Sequence, residues 1–283
     1  MNRILKTNYH THTDFCDGKD SAEIMAAAAF EKHFDILGFS GHSMYPFASG
    51  WHIAPREHEA YVSEIARLKD KYRGQMQILC GFEADYVPGL SIPRMDTYTR
   101  FHPQYLIGSV HYIVTEKGWF CVDDTAENVH NGIETLFMGN AKEAVCTYFA
   151  LQREMLRKGN FTIWGHPDVI RKRNGVLHFF DESESWYRTE LLATAEEARH
   201  AGIIAEINTG AISRHCMDDV YPSAEFLKIL RDNDVPIVIS SDAHAAGDID
   251  CAFDRAALAA KKAGYTETVY IDEGLTKSQA LHI

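Results

Sequence analysis

Residues 76–86 read MQILCGFEADY, a short and largely apolar run that leads directly into Glu83. An apolar run without regular alternation is typical of a parallel strand that is covered on both faces. Similar runs recur along the chain, at Ile4–Tyr9, Asp35–Ser40, Tyr105–Val110, Phe161–Trp164, Ile203–Ile207 and Val235–Ile239. Together with Met76–Phe82, these runs predict seven buried strands.

Longer amphipathic segments separate the runs and predict helices, at Ser21–His33, Pro55–Tyr72, Ala141–Lys158, Glu184–His200, Ser223–Asn233 and Asp250–Ala263. Such strand–helix alternation indicates a barrel-like or doubly wound α/β fold. The composition shows no break, so we predict one domain over residues 1–283. Two stretches that carry glycine, proline and aromatic residues, Asp85–Arg100 and Arg171–Ser185, are predicted to be long loops that shape a site.

The charge balance restricts the classes of partner. The chain has 28 lysine and arginine residues and 40 aspartate and glutamate residues, a formal net charge of -12. This balance disfavours nucleic-acid binding, so we expect a small-molecule partner. An anionic substrate would need local positive charge, supplied by metal ions or by arginines.

The cellular location is predicted from two further features. No stretch approaches the roughly 20 apolar residues of a membrane span, and none has the pattern of a signal peptide. The six cysteines are scattered without a CxxC pair, which indicates reduced thiols rather than a disulfide framework. We therefore expect a cytoplasmic protein with no membrane partner. No sequence pattern indicates its oligomeric state.

Side chains that can bind metals stand at the end of six of the seven predicted strands, which is where α/β barrels build their active sites. They are His10, His12, His42, Glu83, His111, His166, Asp242 and His244. Strand residues two apart point to one side, so the imidazoles of His10 and His12 can both reach one ion. Asp242 and His244 repeat this spacing, although a turn after the strand would send them to different ions. Glu83 would be costly as a buried bare anion, and bridging two cations would remove that cost.

The ligand types narrow the choice of metal. Imidazole and carboxylate without thiolate suit Zn, Mn or Fe(II) and disfavour Cu(I) and iron–sulfur clusters. Asp17 is a harder ligand than its neighbour Cys16, and with Asp17 the candidates number nine, more than one ion can use. Two or three divalent ions are therefore expected. Taken singly, each motif also fits a structural role, such as a helix cap at Asp242.

The ordered series of motifs resembles the polymerase and histidinol phosphatase (PHP) superfamily. The motifs HTHT, DG, GHS, GFEADY, GSVHY, GHPD and SSDAH follow one another over nearly the whole chain. The helix YVSEIARLKDKY at residues 61–72 and the loop after GFEADY look like the histidinol-phosphate phosphatase branch. The resemblance implies a distorted seven-stranded (β/α)7 barrel, TIM-barrel-like, with a trinuclear metal active site at the C-terminal strand ends.

The resemblance also implies which residues would bind each ion. The first ion would be held by His10, His12, Glu83 and Asp242. Glu83 would bridge to a second ion completed by His111 and His166, and the third ion would be held by Asp17, His42 and His244. The sequence departs from the family at Gly41, where relatives often have an aspartate before the third-ion histidine.

The activity implied by the resemblance is hydrolysis of a phosphate monoester by a metal-bridging hydroxide. Within this branch the substrate would be L-histidinol phosphate, cleaved to L-histidinol and phosphate in histidine biosynthesis. The catalytic residues would be Glu83, Asp242, Asp17 and His244. Arg171, Arg173 and Arg214 are candidates for the phosphate, and Trp51 and His52, with Asp85 and Tyr86, for the imidazole and ammonium groups.

Three other interpretations remain open from the sequence. A different PHP phosphoesterase would act on another small phosphomonoester or on a nucleotide. A binding module would retain the metal site without turnover. A metal-dependent amidohydrolase also uses an HxH motif, but it would ordinarily carry a bridging lysine where this chain offers Glu83.

Overall fold

A parallel sheet that curls into a barrel dominates the computed structural model, which describes residues 3–272 and 274–281. The strands are β1 (Thr7–Asn8), β2 (Ile36–Phe39), β3 (His42–Ser43), β4 (Gln77–Asp85), β5 (Tyr105–Ser109), β6 (Tyr112–Thr115), β7 (Gly118–Cys121), β8 (Ile163–Trp164), β9 (Ile204–Asn208), β10 (Ile237–Ser240), β11 (Glu267–Asp272) and β12 (Leu275–Ala280). The α-helices are α1 (Ala22–Glu31), α2 (His58–Lys71), α3 (Ala126–Phe137), α4 (Ala141–Lys158), α5 (Asn174–Leu177), α6 (Ser185–Ala201), α7 (Gly210–Ser213), α8 (Ala224–Asp232) and α9 (Phe253–Ala263). Short 3₁₀ helices occupy Pro55–Glu57, Met95–Phe101, Val169–Arg173 and Ala246–Asp248.

The barrel strands follow the order β1-β2-β4-β5-β8-β9-β10, and every neighbouring pair is parallel. The short strand β3 pairs with the C-terminal end of β4. The two ends of the sheet meet where Thr11 bridges Ala243 in parallel, and the His12 N–H donates to the Ala243 carbonyl at 2.9 Å. The result is a nearly closed seven-stranded barrel with helices between its strands, as predicted.

The centre of the barrel is filled by Tyr105. Its hydroxyl donates to the main-chain carbonyls of Tyr9 at 2.6 Å and Phe39 at 2.9 Å, so it joins strands across the interior. A Cβ at Gly38 would lie 2.4 Å from the Tyr105 hydroxyl, and one at Gly81 would lie 2.6 Å from the ring. The tyrosine therefore requires glycine at both positions.

The antiparallel hairpin β11–β12 seals the N-terminal end of the barrel. Val269 and Ile271 pack with Ile36 and Ile204, which begin their own strands. The Ile271 N–H donates to the Tyr9 hydroxyl at 2.8 Å. With this end closed, the C-terminal strand ends are left to form a site.

Each of the seven predicted strands overlaps an observed strand, and each predicted helix overlaps an observed helix. The sequence patterns predicted no element for β6, β7 and α3, or for the hairpin β11–β12. In α3, Asn131 and Gly132 are poor helix formers, which hides the helix from a pattern-based prediction. The two stretches predicted as loops overlap the short helices Met95–Phe101 and Val169–Arg173, and the second stretch contains α5. Within the described ranges, no helix combines the length and apolarity needed to cross a bilayer.

Candidate metal centre

The C-terminal ends of the barrel strands bring all nine predicted metal ligands into one cluster. Four overlapping groups have ligand atoms within 4.8 Å of one another: His12, Asp17, His42 and His244; His10, His12 and Glu83; His10, His166 and Asp242; and His42, Glu83 and His111. Because strands of a parallel barrel end at the same edge, ligands far apart in the chain become neighbours here.

Glu83 lies at the centre of this cluster, on β4. Its Oε2 atom is 3.0 Å from His10 Nε2 and 2.7 Å from His42 Nδ1. Its Oε1 atom is 2.8 Å from His166 Nε2 and 3.5 Å from His111 Nε2. The two oxygens therefore face two different sets of imidazoles, which is the arrangement a bridging carboxylate needs.

Asp242 faces the same cluster from the end of β10. Its Oδ1 atom is 3.2 Å from His12 Nε2 and 3.5 Å from His244 Nδ1, and Oδ2 accepts a hydrogen bond from Arg214 at 2.8 Å. Asp242 and His166 have positive φ angles of 52° and 26°, a region that residues other than glycine rarely adopt. Such backbone strain persists where the surrounding structure holds it, and it is concentrated at functional sites.

Asp17 brings the third group of ligands together near solvent. Its carboxylate lies 3.6 Å from His42 Nε2 and 3.3 Å from His244 Nε2. The Asp17 side chain is 36% exposed, whereas Glu83 is 1% exposed. This third group is therefore the most accessible part of the cluster.

The electrostatics of the cluster keep the carboxylate charged and one imidazole neutral. Burial opposes ionisation of Glu83, but His10, His42 and His111 outweigh it and hold the pKa of Glu83 well below its usual value. Burial lowers the pKa of His12 well below its usual value, and the neighbouring His244 and His42 add to this effect. An ionised carboxylate and a neutral imidazole are the forms that bind metal ions.

Several buried ligand atoms lie close to one another but form no well-aligned hydrogen bond, which fits a metal centre. They are His10 Nε2, His12 Nε2, His42 Nδ1 and Glu83 Oε2. Buried polar atoms without a partner are costly and uncommon. Coordination to divalent ions would satisfy all four atoms, and their imidazole and carboxylate chemistry suits Zn, Mn or Fe(II).

A cavity of about 540 Å³ opens from this cluster to solvent. Besides metal-ligand candidates, its wall carries Ser49, Trp51, Tyr112, Trp119, Cys121, Asp123, Asp124, Lys172 and Arg214. Of the predicted substrate residues, Trp51 and Arg214 therefore line the cavity. His52 stacks behind Trp51 with ring centroids 3.9 Å apart and hydrogen-bonds to Asp85.

The structure does not bring Arg171 or Arg173 to the cavity wall. Arg171 is buried and donates to Glu182 at 2.7 Å and to Asp219 at 3.0 Å. Arg173 donates to the main-chain carbonyl of Asp124 at 2.6 Å. Lys172, which lies between them, faces the cavity. Lys172 points in a different direction from Arg171 and Arg173 because all three lie in the 3₁₀ helix Val169–Arg173. Three residues complete a turn of such a helix, so neighbouring side chains point about 120° apart.

Sequence reasoning assigned no role to Lys172, Asp123, Tyr112 or Trp119, which all line the cavity. The basic run at residues 171–173 was the available signal for Lys172. Its ion pair with Asp123 joins two segments that are distant in the sequence, so no local pattern reveals it. The predicted loop Asp85–Arg100 contributes nothing to the described cavity wall, which is built instead from segments 49–51 and 112–124.

Comparison with known proteins shows a PHP domain family model matching residues 8–210 of this chain. The histidinol-phosphatase of Bacillus subtilis is 25% identical over 269 residues, covering 89% of this chain and 98% of that protein. The family model spans seven of the nine ligand candidates, and Asp242 and His244 lie beyond its end.

Two solved structures share the fold. The hisK protein of Listeria monocytogenes has a TM-score of 0.79 at 21% identity, covering 88% of this chain and 99% of that one. The histidinol phosphate phosphatase of Lactococcus lactis, solved with Zn, L-histidinol and phosphate, has a TM-score of 0.74 at 18% identity. That match covers 97% of this chain and 100% of the Lactococcus chain.

Proposed function

The chain belongs to the PHP domain family, and on that premise we propose that it is a metal-dependent phosphatase that hydrolyses L-histidinol phosphate to L-histidinol and phosphate. One observation carries the proposal. Buried ligand atoms that form no well-aligned hydrogen bond are grouped around Glu83, beside the cavity that Lys172 and Arg214 line. The relatives named for this activity support the choice of substrate within the family.

The proposed centre holds up to three divalent ions, Zn, Mn or Fe. His10, His12, Glu83 and Asp242 would hold the first, Glu83, His111 and His166 the second, and Asp17, His42 and His244 the third. The separate directions of the two Glu83 oxygens support its role as the bridge. When bound, such ions supply an activated water for attack on phosphorus and neutralise charge on the phosphate oxygens.

Arg214 and Lys172 are proposed to bind the phosphate group. A chain with a net charge of -12 needs local cations for a phosphate dianion. Arg214 is held in place by donating to both the carboxylate and the main-chain carbonyl of Asp242, at 2.8 and 3.0 Å. Lys172 is paired with Asp123 and would exchange this partner for a phosphate oxygen.

The aromatic and acidic residues of the cavity wall are proposed to recognise the leaving group. Trp51 stacks on Tyr112 with ring centroids 5.8 Å apart, and Trp119 meets Tyr112 edge-on at 5.3 Å. Asp123 and Asp124 line the same cavity. Aromatic faces and carboxylates attract an ammonium and a protonated imidazole through cation–π and charge interactions. Because phosphoryl transfer has a loose transition state, such positioning contributes much of the catalysis.

We further propose that the chain acts in the cytoplasm as one domain, on a small molecule rather than on a nucleic acid. Six free cysteines, one of them buried, support a reducing compartment. The acidic net charge supports a small substrate.

A substrate panel tests the proposal directly. The chain, loaded in turn with Zn, Mn and Fe(II), would be assayed with histidinol phosphate, phosphotyrosine, nucleoside monophosphates and a chromogenic phosphomonoester. We expect kcat/KM to be at least about tenfold higher for histidinol phosphate, equivalent to about 1.4 kcal/mol of transition-state binding. Faster turnover of another monoester would favour a different PHP phosphoesterase. Bound metal without any hydrolysis would favour a non-catalytic metal module.

Glu83→Ala tests the metal centre itself. Removing the bridging carboxylate should release metal and lower kcat/KM by about a thousandfold or more, because metal ions contribute several kcal/mol of charge stabilisation. Metal per chain would be measured by mass spectrometry alongside the kinetics. Glu190→Ala is the matched control, since Glu190 pairs with Arg153 at 2.8 Å on α6 and does not line the cavity. Full activity and full metal content in Glu83→Ala would contradict the bridging role.

A further inference from the structure

We propose that two buried carboxylates behind the ligands, Glu206 and Asp85, are positioning residues that set the tautomers of His10 and His111 and turn their Nε2 atoms toward the metal ions. The inference rests on the metal centre of the proposed function and adds to it the residues that orient the ligands. It is carried by a set of short hydrogen bonds with one consistent direction.

Glu206 fixes His10. It is fully buried on β9, and its Oε1 atom lies 2.7 Å from His10 Nδ1. Because an ionised carboxylate only accepts hydrogen bonds, the proton must sit on Nδ1 of His10. In the neutral ring the lone pair of His10 then lies on Nε2, and this atom faces Glu83 Oε2 at 3.0 Å.

The second carboxylate oxygen of Glu206 also accepts hydrogen bonds. Oε2 accepts from the His166 main-chain N–H at 3.0 Å and from the Asn208 side-chain amide at 2.8 Å. His166 is one of the ligand candidates with positive φ, so this hydrogen bond helps to hold its strained backbone. Glu206 therefore forms hydrogen bonds with two ligand candidates, His10 and His166, which lie far apart in the sequence and are assigned to different ions.

Asp85 fixes His111 in the same way. It is buried at the end of β4, and its Oδ1 atom lies 2.5 Å from His111 Nδ1. The proton again belongs on Nδ1, which leaves Nε2 of His111 to face Glu83 Oε1 at 3.5 Å. His111 thus presents to the cluster the same nitrogen as His10.

A buried histidine supports Asp85 from behind. His52 Nε2 lies 2.6 Å from Asp85 Oδ2 and must donate to it. His52 Nδ1 is then an acceptor, and it lies 2.7 Å from the Ser49 hydroxyl and 3.2 Å from the Ser49 N–H, both of which can donate. With neutral rings, the chain Ser49–His52–Asp85–His111 therefore has one self-consistent set of protons, and it includes the predicted substrate residue His52 as a support.

Amide variants would break these networks while preserving shape. Glutamine at 206 and asparagine at 85 each replace one acceptor oxygen by a donor NH₂, which cannot accept from a histidine N–H. At both positions the native carboxylate accepts on both oxygens, so neither orientation of the amide satisfies every donor. Outer hydrogen bonds of this kind typically contribute 10–100-fold to metal affinity.

The test measures zinc affinity and histidine tautomers in Glu206→Gln, Asp85→Asn and the matched control Glu190→Gln. Competition with a chromophoric chelator should show zinc affinity about 10–100-fold lower in the first two variants and unchanged in the control. In the metal-free, ¹⁵N-histidine-labelled chain, at a pH high enough for both rings to be neutral, long-range proton–nitrogen spectra should show the Nδ1–H tautomer of His10 and His111. Glu206→Gln should lose it at His10 only, and Asp85→Asn at His111 only.

The outcomes separate this inference from the proposed function. Variants that bind zinc like the wild type and retain both tautomers would overturn the positioning role alone. A wild-type chain that binds no zinc would overturn the proposed metal centre, and the inference with it. If Glu206→Gln does not fold, Glu206→Asp keeps the buried charge but has a shorter reach, so it should also weaken zinc binding. Wild-type zinc affinity in a folded Glu206→Asp would count against the role.

Discussion

Arg171 and Arg214 are the same residue type in two different environments. Arg171 is 6% exposed, and its guanidinium contacts Glu182, Asp219 and the main-chain carbonyl of Val220. The Arg214 guanidinium lies at the cavity wall and contacts Asp242 and the ring of His244. The first arginine therefore joins segments of the fold, whereas the second is available to a ligand.

Substitution of each arginine should consequently change a different quantity. Arg214→Ala should raise KM for phosphorylated substrates by about 10–100-fold, since a hydrogen bond to a charged group contributes about 1.5–3 kcal/mol. Arg171→Ala should leave KM unchanged but lower the free energy of unfolding by about 3–5 kcal/mol, because it leaves carboxylates unpaired next to a buried position. Steady-state kinetics and urea denaturation of both variants, with metal content verified, would measure this. A raised KM in a stable Arg171→Ala would restore that residue to the substrate site.

The aromatic part of the cavity wall is formed by whole secondary-structure elements rather than by isolated residues. The hairpin β6–β7 carries Tyr112 and Trp119 and packs against helix α3. The contact is so close that a Cβ built on Gly132 of α3 would lie 2.3 Å from the Phe120 ring of β7. The glycine that weakens α3 as an isolated helix is thus required for the helix to approach the hairpin.

Gly132→Ala should show which of these effects is larger. Alanine would stabilise the helix by about 1 kcal/mol, but overpacking against Phe120 costs about 1–3 kcal/mol. We expect a net loss of unfolding free energy and a raised KM, because the displaced hairpin carries the aromatic wall. Asn131→Ala, at an exposed position of the same helix, gives the propensity gain without the clash. If Gly132→Ala has the same free energy of unfolding as Asn131→Ala, the hairpin can move away from the added methyl group without loss of stability.

In the complete barrel, the metal centre lies where the sheet closes. Thr11 and Ala243 join the first and last barrel strands, and ligand candidates flank both residues. Eight of the nine candidates lie on β3 or β4 or within four residues after β1, β5, β8 or β10, and Asp17 lies in the turn before α1. Ions bound here would therefore link nearly every strand of the barrel.

Removal of metal should destabilise the entire fold as a result. A ligand at a hundred times its Kd stabilises a protein by about 2.7 kcal/mol, and each kcal/mol shifts Tm by about 2–4 °C in a chain of this size. Dialysis against a chelator should therefore lower Tm by roughly 5–10 °C, and zinc should restore it. Scanning calorimetry would measure the shift, with Glu83→Ala expected to respond weakly. An unchanged Tm in the chelated wild type would mean that bound metal does not contribute to the stability of the closed barrel.

The barrel could be predicted from the sequence because each strand and helix is encoded locally. An apolar run such as Met76–Phe82 predicts a strand that is buried on both faces, and Glu83, directly after it, lies near the C-terminal end of β4. The fold prediction is confirmed on these grounds, whereas the assignment of each ligand to an ion stays a prediction. The hairpin β11–β12 lacked such a signal, since its outer strand is mostly exposed.

The amino-acid sequence by itself determined the alternation of strands and helices, the placement of metal-binding side chains at strand ends and the chemical type of the site. These properties depend on backbone periodicity and burial over a few neighbouring residues. The tertiary structure alone decided that Lys172 rather than Arg171 faces the cavity, and that Glu206 and Asp85 support His10 and His111. Those outcomes depend on hydrogen bonds and packing between residues far apart in the chain, such as His10 and Glu206, which become neighbours only when the barrel closes.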